Sequence, residues 1–340
     1  MAQERAVRHH TVPRFYLERF ADQRRQVMRV VLPGDQRHRT SINDASVVRD
    51  FYTIHTDEGP SDEFERVLAS VETNAATAFR SVLDDRVWPP DEETRWALSW
   101  WAAVQALRTT AVRQSADDIL NLWMKLEVGA GGKERLRSRM EEALDRAVED
   151  DELDRTWDEY TGPSGPGFES GPDQHVDTIM RLAPGTAHMF HDRSWALVRF
   201  TRRPLATSDS PVTLVPDLRN PDLAVGFATA MHVVVPMDRR TLLLMGDLDK
   251  PTVEIPPSTQ VATYANTMVA AFATRALFHH PEDDPLRGIP LPRPREHQIH
   301  ANVDDLISEQ GLFATSETDQ PSEDDSTGPA EERVEDPELT

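Results

Sequence analysis

Three short runs in the second half of the chain are apolar at nearly every position: Ser194–Phe200 (SWALVRF), Met231–Pro236 (MHVVVP) and Thr241–Gly246 (TLLLMG). Each is too short for an ordinary helix and rich in strand-forming side chains, so each reads as a strand, and together they suffice for a small sheet. Gln26–Leu32 (QVMRVVL) reads the same way and runs into the turn Pro33-Gly34-Asp35. From Ser61 the period changes. Phe64, Val67, Leu68, Val71, Ala75, Ala78, Phe79 and Val82 recur every three or four residues, which predicts a helix with Ser61 as its N-cap. Pro89-Pro90 breaks the chain, and Asp91 caps a second helix striped by Trp96, Trp100, Ala103, Val104 and Leu107.

Residues 115–127 and 133–150 continue as helices, Asp173–Phe190 is helical, and Ser258–Phe278 reads as one long alanine-rich helix capped by Ser258. Near the start, Pro13 forces its predecessor into an extended conformation and opens a short helix over Pro13–Phe20. Asn43–Thr53, ending in Phe51-Tyr52, is a short strand or a buried loop. The expected class is α+β and predominantly helical: a helical half, a small mixed sheet, a long late helix and a disordered tail. Residues 1–160 form the helical region, and 161–172 (TGPSGPGFESGP) a Gly/Pro-rich loop or linker. Residues 173–314 form an α+β region expected to join the first in one compact domain, with a proline-rich strap at 281–297. No internal repeat is present.

Composition sharpens this picture at three points. The formal charge is −22, of which −9 falls in residues 315–340, a stretch almost without large apolar side chains. Such a segment cannot offset the entropy of ordering, so disorder is expected there. The remaining −13 argues against nonspecific nucleic-acid coating, which needs a basic footprint, although a local arginine patch can hide in the average. Cysteine is absent, which removes disulfides, thiolate nucleophiles and cysteine-held metals and leaves His, Asp and Glu as the only metal donors. No apolar run approaches the roughly 18–20 residues that span a bilayer, and the charged opening MAQERAVRHH lacks the apolar core of a secretory signal, so a cytoplasmic address is expected. Phosphate loops of the GxxxxGK[ST] type, GxGxxG and the GxSxG elbow are also missing, which disfavours nucleotide-triphosphate hydrolysis and α/β-hydrolase chemistry.

The opening HHTVPRFYLERF resembles the signature of the bacterial family known as domain of unknown function 4238. Further pieces stand in that family's order: Asp50-Phe51-Tyr52, Glu65 and Glu72, Gln105-x-x-Arg108-Thr109, Thr207-Ser208-Asp209-Ser210-Pro211, Val235-Pro236 and Asn266. Arg14 stands where the family often has Gln, and Ser210 where Asn is usual. The resemblance implies an α+β fold with a helical half and a mixed half. It implies no activity, cofactor or metal.

Glu65 and Glu72 lie seven apart and so within roughly 20° of one helix face, about 10 Å apart along its axis, too far to chelate one ion unaided. Gln105 and Arg108 share a face at i, i+3, and antiparallel packing would bring Arg108 to one of the glutamates, either as an interhelix salt bridge or as part of a site. His10, in a rigid aromatic-flanked segment, is a candidate general base or ligand, or else a buried imidazole bonded to a carbonyl, while His9 reads as its variable neighbour. Asp209 sits in a tight turn, where it either bonds its own backbone or serves as a base or ligand. His188 and His191, at i, i+3, read as fortuitous, and His279-His280 as the basic close of the late helix.

Two hypotheses follow. In the first, His10, Glu72, Arg108 and Asp209 converge as the catalytic groups of a metal-assisted or acid–base hydrolase of phosphoesters or nucleic acid, with Tyr16, Gln105, Ser208 and Asn266 binding substrate. In the second, the same residues form the polar network of a noncatalytic ligand-binding or protein-interaction module, and the acidic tail meets a protein partner.

Overall fold

The alternation inside the apolar runs decides the architecture. The computed structural model describes residues 8–49, 51–52, 54–56, 59–61, 63–162, 170–217, 219–220, 225–246 and 252–294. In chain order these form β1 (Arg8–His10), α1 (Arg14–Glu18), β2 (Gln26–Val31), β3 (Gln36–Ser41), β4 (Val47–Arg49), β5 (Ile54–Thr56), β6 (Gly59–Ser61), α2 (Glu63–Leu83) and α3 (Glu92–Leu107). There follow α4 (Thr110–Gly129), α5 (Gly132–Leu144), α6 (Asp150–Thr161), α7 (Pro172–Asp192), β7 (Ser194–Arg199), β8 (Thr207–Ser208) and β9 (Thr213–Val215). The described chain closes with β10 (His232–Pro236), β11 (Thr241–Gly246), β12 (Thr252–Glu254), α8 (Thr259–Phe272) and β13 (Ala276–His279). The fold is α+β.

A five-stranded sheet of order β12-β7-β11-β10-β9 is antiparallel except where β12 joins β7. Successive strand side chains point to opposite faces, and here both faces are covered. Trp195, Leu197, Val233, Val235, Leu243 and Met245 pack into one core with residues of α1, α2 and α3, while Val198, Val234 and Leu242 pack into a second with Ala262, Ala265 and Val269 of α8. Double coverage is why these strands read as unbroken apolar runs instead of alternating ones. The second sheet, β3-β2-β13-β8, joins segments from opposite ends of the sequence, with β2 against β13 from Ala276↔Val31 to His279↔Met28. The β2–β3 turn needs glycine: Gly34 has φ +110°, and an added Cβ would lie 2.7 Å from a Leu291 methyl.

The described chain divides into two compact units, residues 8–124 with 170–294, and residues 125–162. The first unites the N-terminal helices with the later sheets. In the second, α5 and α6 are joined by Arg137, which donates to the Val148 carbonyl and the Asp150 carboxylate, both at 2.6 Å. No described helix is long and apolar enough to cross a membrane.

Several expectations change. The late helix stops at Phe272, and Ala276–His279 is a strand instead of its last turn. Alanine favours helix only weakly, and here the Asp209 carboxylate takes the N–H groups of Thr274, Arg275 and Ala276, turning the chain into the sheet. His279 and His280 therefore close a buried strand, not a helix, and burial pulls both imidazoles below their ordinary pKa. Strand β3, QRHRTS, carries no apolar residue and gave no signal. Ser61 ends β6, with the helix starting at Glu63. Asp50, residues 163–169 of the expected loop and the 315–340 tail lie outside the described residues. Asp91 and Ser258 cap their helices, accepting from Thr94 N–H at 2.8 Å and Val261 N–H at 3.1 Å.

Candidate functional site

The site grows from the stretch ahead of Pro13. Strand β1 pairs with β4, His9 opposite Val48 and His10 opposite Val47, so the two histidines leave the strand on opposite faces. His9 is buried. Its Nδ1 accepts the Tyr52 N–H at 2.9 Å, which puts the proton of the neutral ring on Nε2. That Nε2 lies 3.6 Å from Glu65 Oε1, whose side chain is 40% exposed. His10 is half-buried and donates Nε2–H to the Asn43 carbonyl at 3.2 Å.

Beyond β1 the backbone is clamped. Thr11 donates both N–H and Oγ–H to the Ser46 carbonyl, and Ser46 Oγ returns a bond to the Val12 carbonyl at 2.9 Å. The Thr11 carbonyl accepts Gln105 Nε2–H at 2.8 Å and Arg108 Nε–H at 3.1 Å. The i, i+3 spacing on α3 thus sends two side chains to one oxygen. Arg108, at the C-cap of α3, is 1% exposed, and its Nη1 donates to Glu72 Oε1 at 2.9 Å. Its Nη2 is buried with no hydrogen-bond partner among the described residues. A buried charged donor left unmatched is costly and rare. The Arg108 carbonyl accepts the Tyr52 hydroxyl at 3.1 Å, and burial pushes that phenol up from its ordinary pKa.

These groups face a cleft of about 710 Å³. One wall is the exposed face of α2, from Glu65 through Glu72, Thr73 and Ala76 to Arg80; opposite stand His9, His10 and Arg108, then Arg14, Phe15 and Glu18 of α1. The two glutamates do not share a partner. Glu65 faces His9, and Glu72, 32% exposed, holds Arg108. Among the described residues no group of three or more His, Asp or Glu side chains is placed to hold a metal ion.

Of the four residues expected to converge, His10, Glu72 and Arg108 line this cleft and Asp209 does not. Asp209 Oδ1 accepts from Thr274 N–H at 2.9 Å and Oδ2 from Arg275 and Ala276 N–H at 2.7 and 3.2 Å, while burial pushes its carboxyl pKa up against those bonds. Ser208 Oγ bonds the Ser210 backbone in the same turn. Tyr16 lies outside the cleft lining: its hydroxyl is 2.7 Å from both Thr207 Oγ1 and the Pro236 carbonyl, inside the core. Asn266 is a latch, accepting Ala206 N–H and donating to the Pro204 and Pro285 carbonyls. Gln105 touches the site only through Thr11. His188 and His191 flank Trp96, with His191 stacked at 3.9 Å and bonded to Glu92 and Asp192. The residue that sequence reasoning missed is His9. Strand alternation was the available signal, since one of two adjacent strand histidines must face inward.

A family model described as "Protein of unknown function (DUF4238)" matches residues 8–283. The chain belongs to this family. No curated protein and no solved structure was found to match it. Within the DUF4238 span, the motif residues separate into those facing the cleft and those bonding backbone elsewhere.

Proposed function

We propose that the cleft is an acid–base hydrolytic site for phosphoesters, with Glu65 as general base. Glu65 is half in water and faces an imidazole whose proton position is dictated by the Tyr52 N–H, an arrangement that orients a carboxylate without consuming it. Water attacks phosphorus, its proton passes to Glu65, the bond to the leaving oxygen breaks, and protonated His10 supplies that oxygen's proton. Arg108, fixed by Thr11 and Glu72, stabilises the charge developing on a non-bridging oxygen. The observation that carries this reading is the unmatched Nη2 of an Arg108 held by Glu72, in a cleft that also holds the part-exposed Glu65 against His9. A part-exposed carboxylate and two imidazoles line the cleft, so the reading takes the acid–base branch.

Hydrolysis of an activated phosphodiester by the full chain tests this. Glu65→Gln should lower kcat about 100-fold while EDTA leaves the rate unchanged. Turnover that survives Glu65→Gln sinks the assignment. The second reading, a noncatalytic ligand-binding module, is favoured by the Arg108–Glu72 pair, which already occupies one edge of the guanidinium. It predicts phosphate-dependent melting shifts without turnover.

A further inference from the structure

The cleft is polarised along α2, and its far end differs in character from the end built around Arg108. On one helix face, positions 69, 72, 73, 76, 77 and 80 line the cleft, ending at Arg80, eight residues beyond Glu72 and so about 12 Å along the axis. Opposite stand Arg14 and Glu18 of α1, with Arg25 beside them. Arg25 and Glu18 neutralise each other, Nε to Oε1 at 3.4 Å. The other two arginines have no such partner. The Arg14 side chain is exposed and makes no hydrogen bond, ion pair or ring contact among the described residues. The Arg80 side chain likewise has no hydrogen bond or ion pair there; Asp84, the acid whose charge it feels, is held by both guanidinium nitrogens of Arg19 at 2.7 and 3.0 Å.

Two exposed, uncompensated guanidinium groups lining one cleft of a protein carrying −22 are an unexpected reversal of local sign. Two unpaired positive groups in one cleft lining raise its local potential and favour an entering anion. Guanidinium donors arranged as a fork match phosphate oxygens two at a time. Phe15 lies half-buried in the same cleft lining, its ring edge-to-face with Phe79 at 5.6 Å, and gives the cleft an aromatic surface.

We propose that Arg14 and Arg80 form an anion subsite that takes the phosphate of a small organic phosphate, whose ring system rests on Phe15 and whose far end reaches Arg108 and Glu72. This rests on the cleft being the functional site but not on its being catalytic. It makes Arg14 and Arg80 determinants of which ligands are accepted.

The test is calorimetric titration of the full chain with adenosine 5′-monophosphate, adenosine and inorganic pyrophosphate, at matched ionic strength. The nucleotide and pyrophosphate should bind and adenosine should not. In Arg14→Gln/Arg80→Gln, with an unchanged melting midpoint in buffer, nucleotide binding should weaken by about 10-fold or more. Phe15→Leu should weaken the nucleotide and spare pyrophosphate. Equal affinity in the wild type and the double variant overturns the proposal. So does an absence of nucleotide and pyrophosphate binding up to millimolar concentration, or binding confined to a long single-stranded oligonucleotide, which would make this a nucleic-acid groove. The two readings fail separately. Loss of turnover in Glu65→Gln with no effect of the double variant on KM removes only the subsite, and arginine-dependent binding without turnover removes only the hydrolase.

Discussion

The cleft and the turn at Asp209 use the same kinds of side chain for opposite ends. At Asp209 each carboxylate oxygen is matched to a backbone donor, and at Asn266 both ends of the amide are used. In the cleft the matching is incomplete: Glu65 faces the His9 imidazole and Glu72 the Arg108 guanidinium, both carboxylates keep part of their surface in water, and Arg108 keeps an unmatched nitrogen. A polar side chain whose hydrogen-bonding groups are taken up by the backbone of other segments has little left with which to bind a ligand. The difference teaches that motif membership and residue type do not distinguish the residues of the cleft from those of the turn, whereas hydrogen-bonding capacity left unused does.

That contrast can be broken by mutation, and the largest effect should fall at the saturated region. Asp209→Ala strands three backbone N–H groups at the entry to β13 and should cost about 3 kcal/mol or more in chemical denaturation; a loss below about 1 kcal/mol would mean that the turn holds without its carboxylate. Next comes His175, packed against Phe51 and Tyr52 behind His9, where burial pulls the imidazole down to about 4. A depressed folded pKa means that only the unfolded chain binds this proton between about pH 6.5 and 4. Stability from this group should therefore be complete above 6.5 and fall through that window by roughly 2–3 kcal/mol. His175→Phe should flatten that part of the pH–stability curve, and an unchanged slope would refute the assignment. The smallest effect belongs to the cleft: Glu65→Gln should shift stability by no more than about 0.5 kcal/mol while lowering kcat of the proposed hydrolysis about 100-fold. A large destabilisation there would erase the distinction between the two regions.

Much of the fold was legible because periodicity reports burial. The strands at 194–199, 232–236 and 241–246 announced themselves by continuous apolar runs, and α2 and α3 by their stripes. What was not legible was set by distant partners. Strand β3 has no apolar residue and exists because β2 offers it an edge. Ala276–His279 leaves the helical pattern because Asp209, far back in the chain, captures its backbone. The Arg108–Glu72 contact followed from helix faces and antiparallel packing, so that part of the site was readable. The inward turn of His9 depended on β1 pairing with β4, and the exclusion of Asp209 on a hydrogen-bond inventory that no linear pattern records.

The pairing of β2 with β13 has a consequence for how the chain is made. Residues 26–31 leave the ribosome with their partner at 276–279 still untranslated. At about 5–20 residues per second, the interval is roughly ten seconds to most of a minute. Throughout it the β2–β3 hairpin presents an unpaired edge, with Val30 lacking the α8 residues that cover it. Chaperone engagement at the nascent N-terminal hairpin, released once residue 279 has emerged, is the expected signature of such a late-closing sheet.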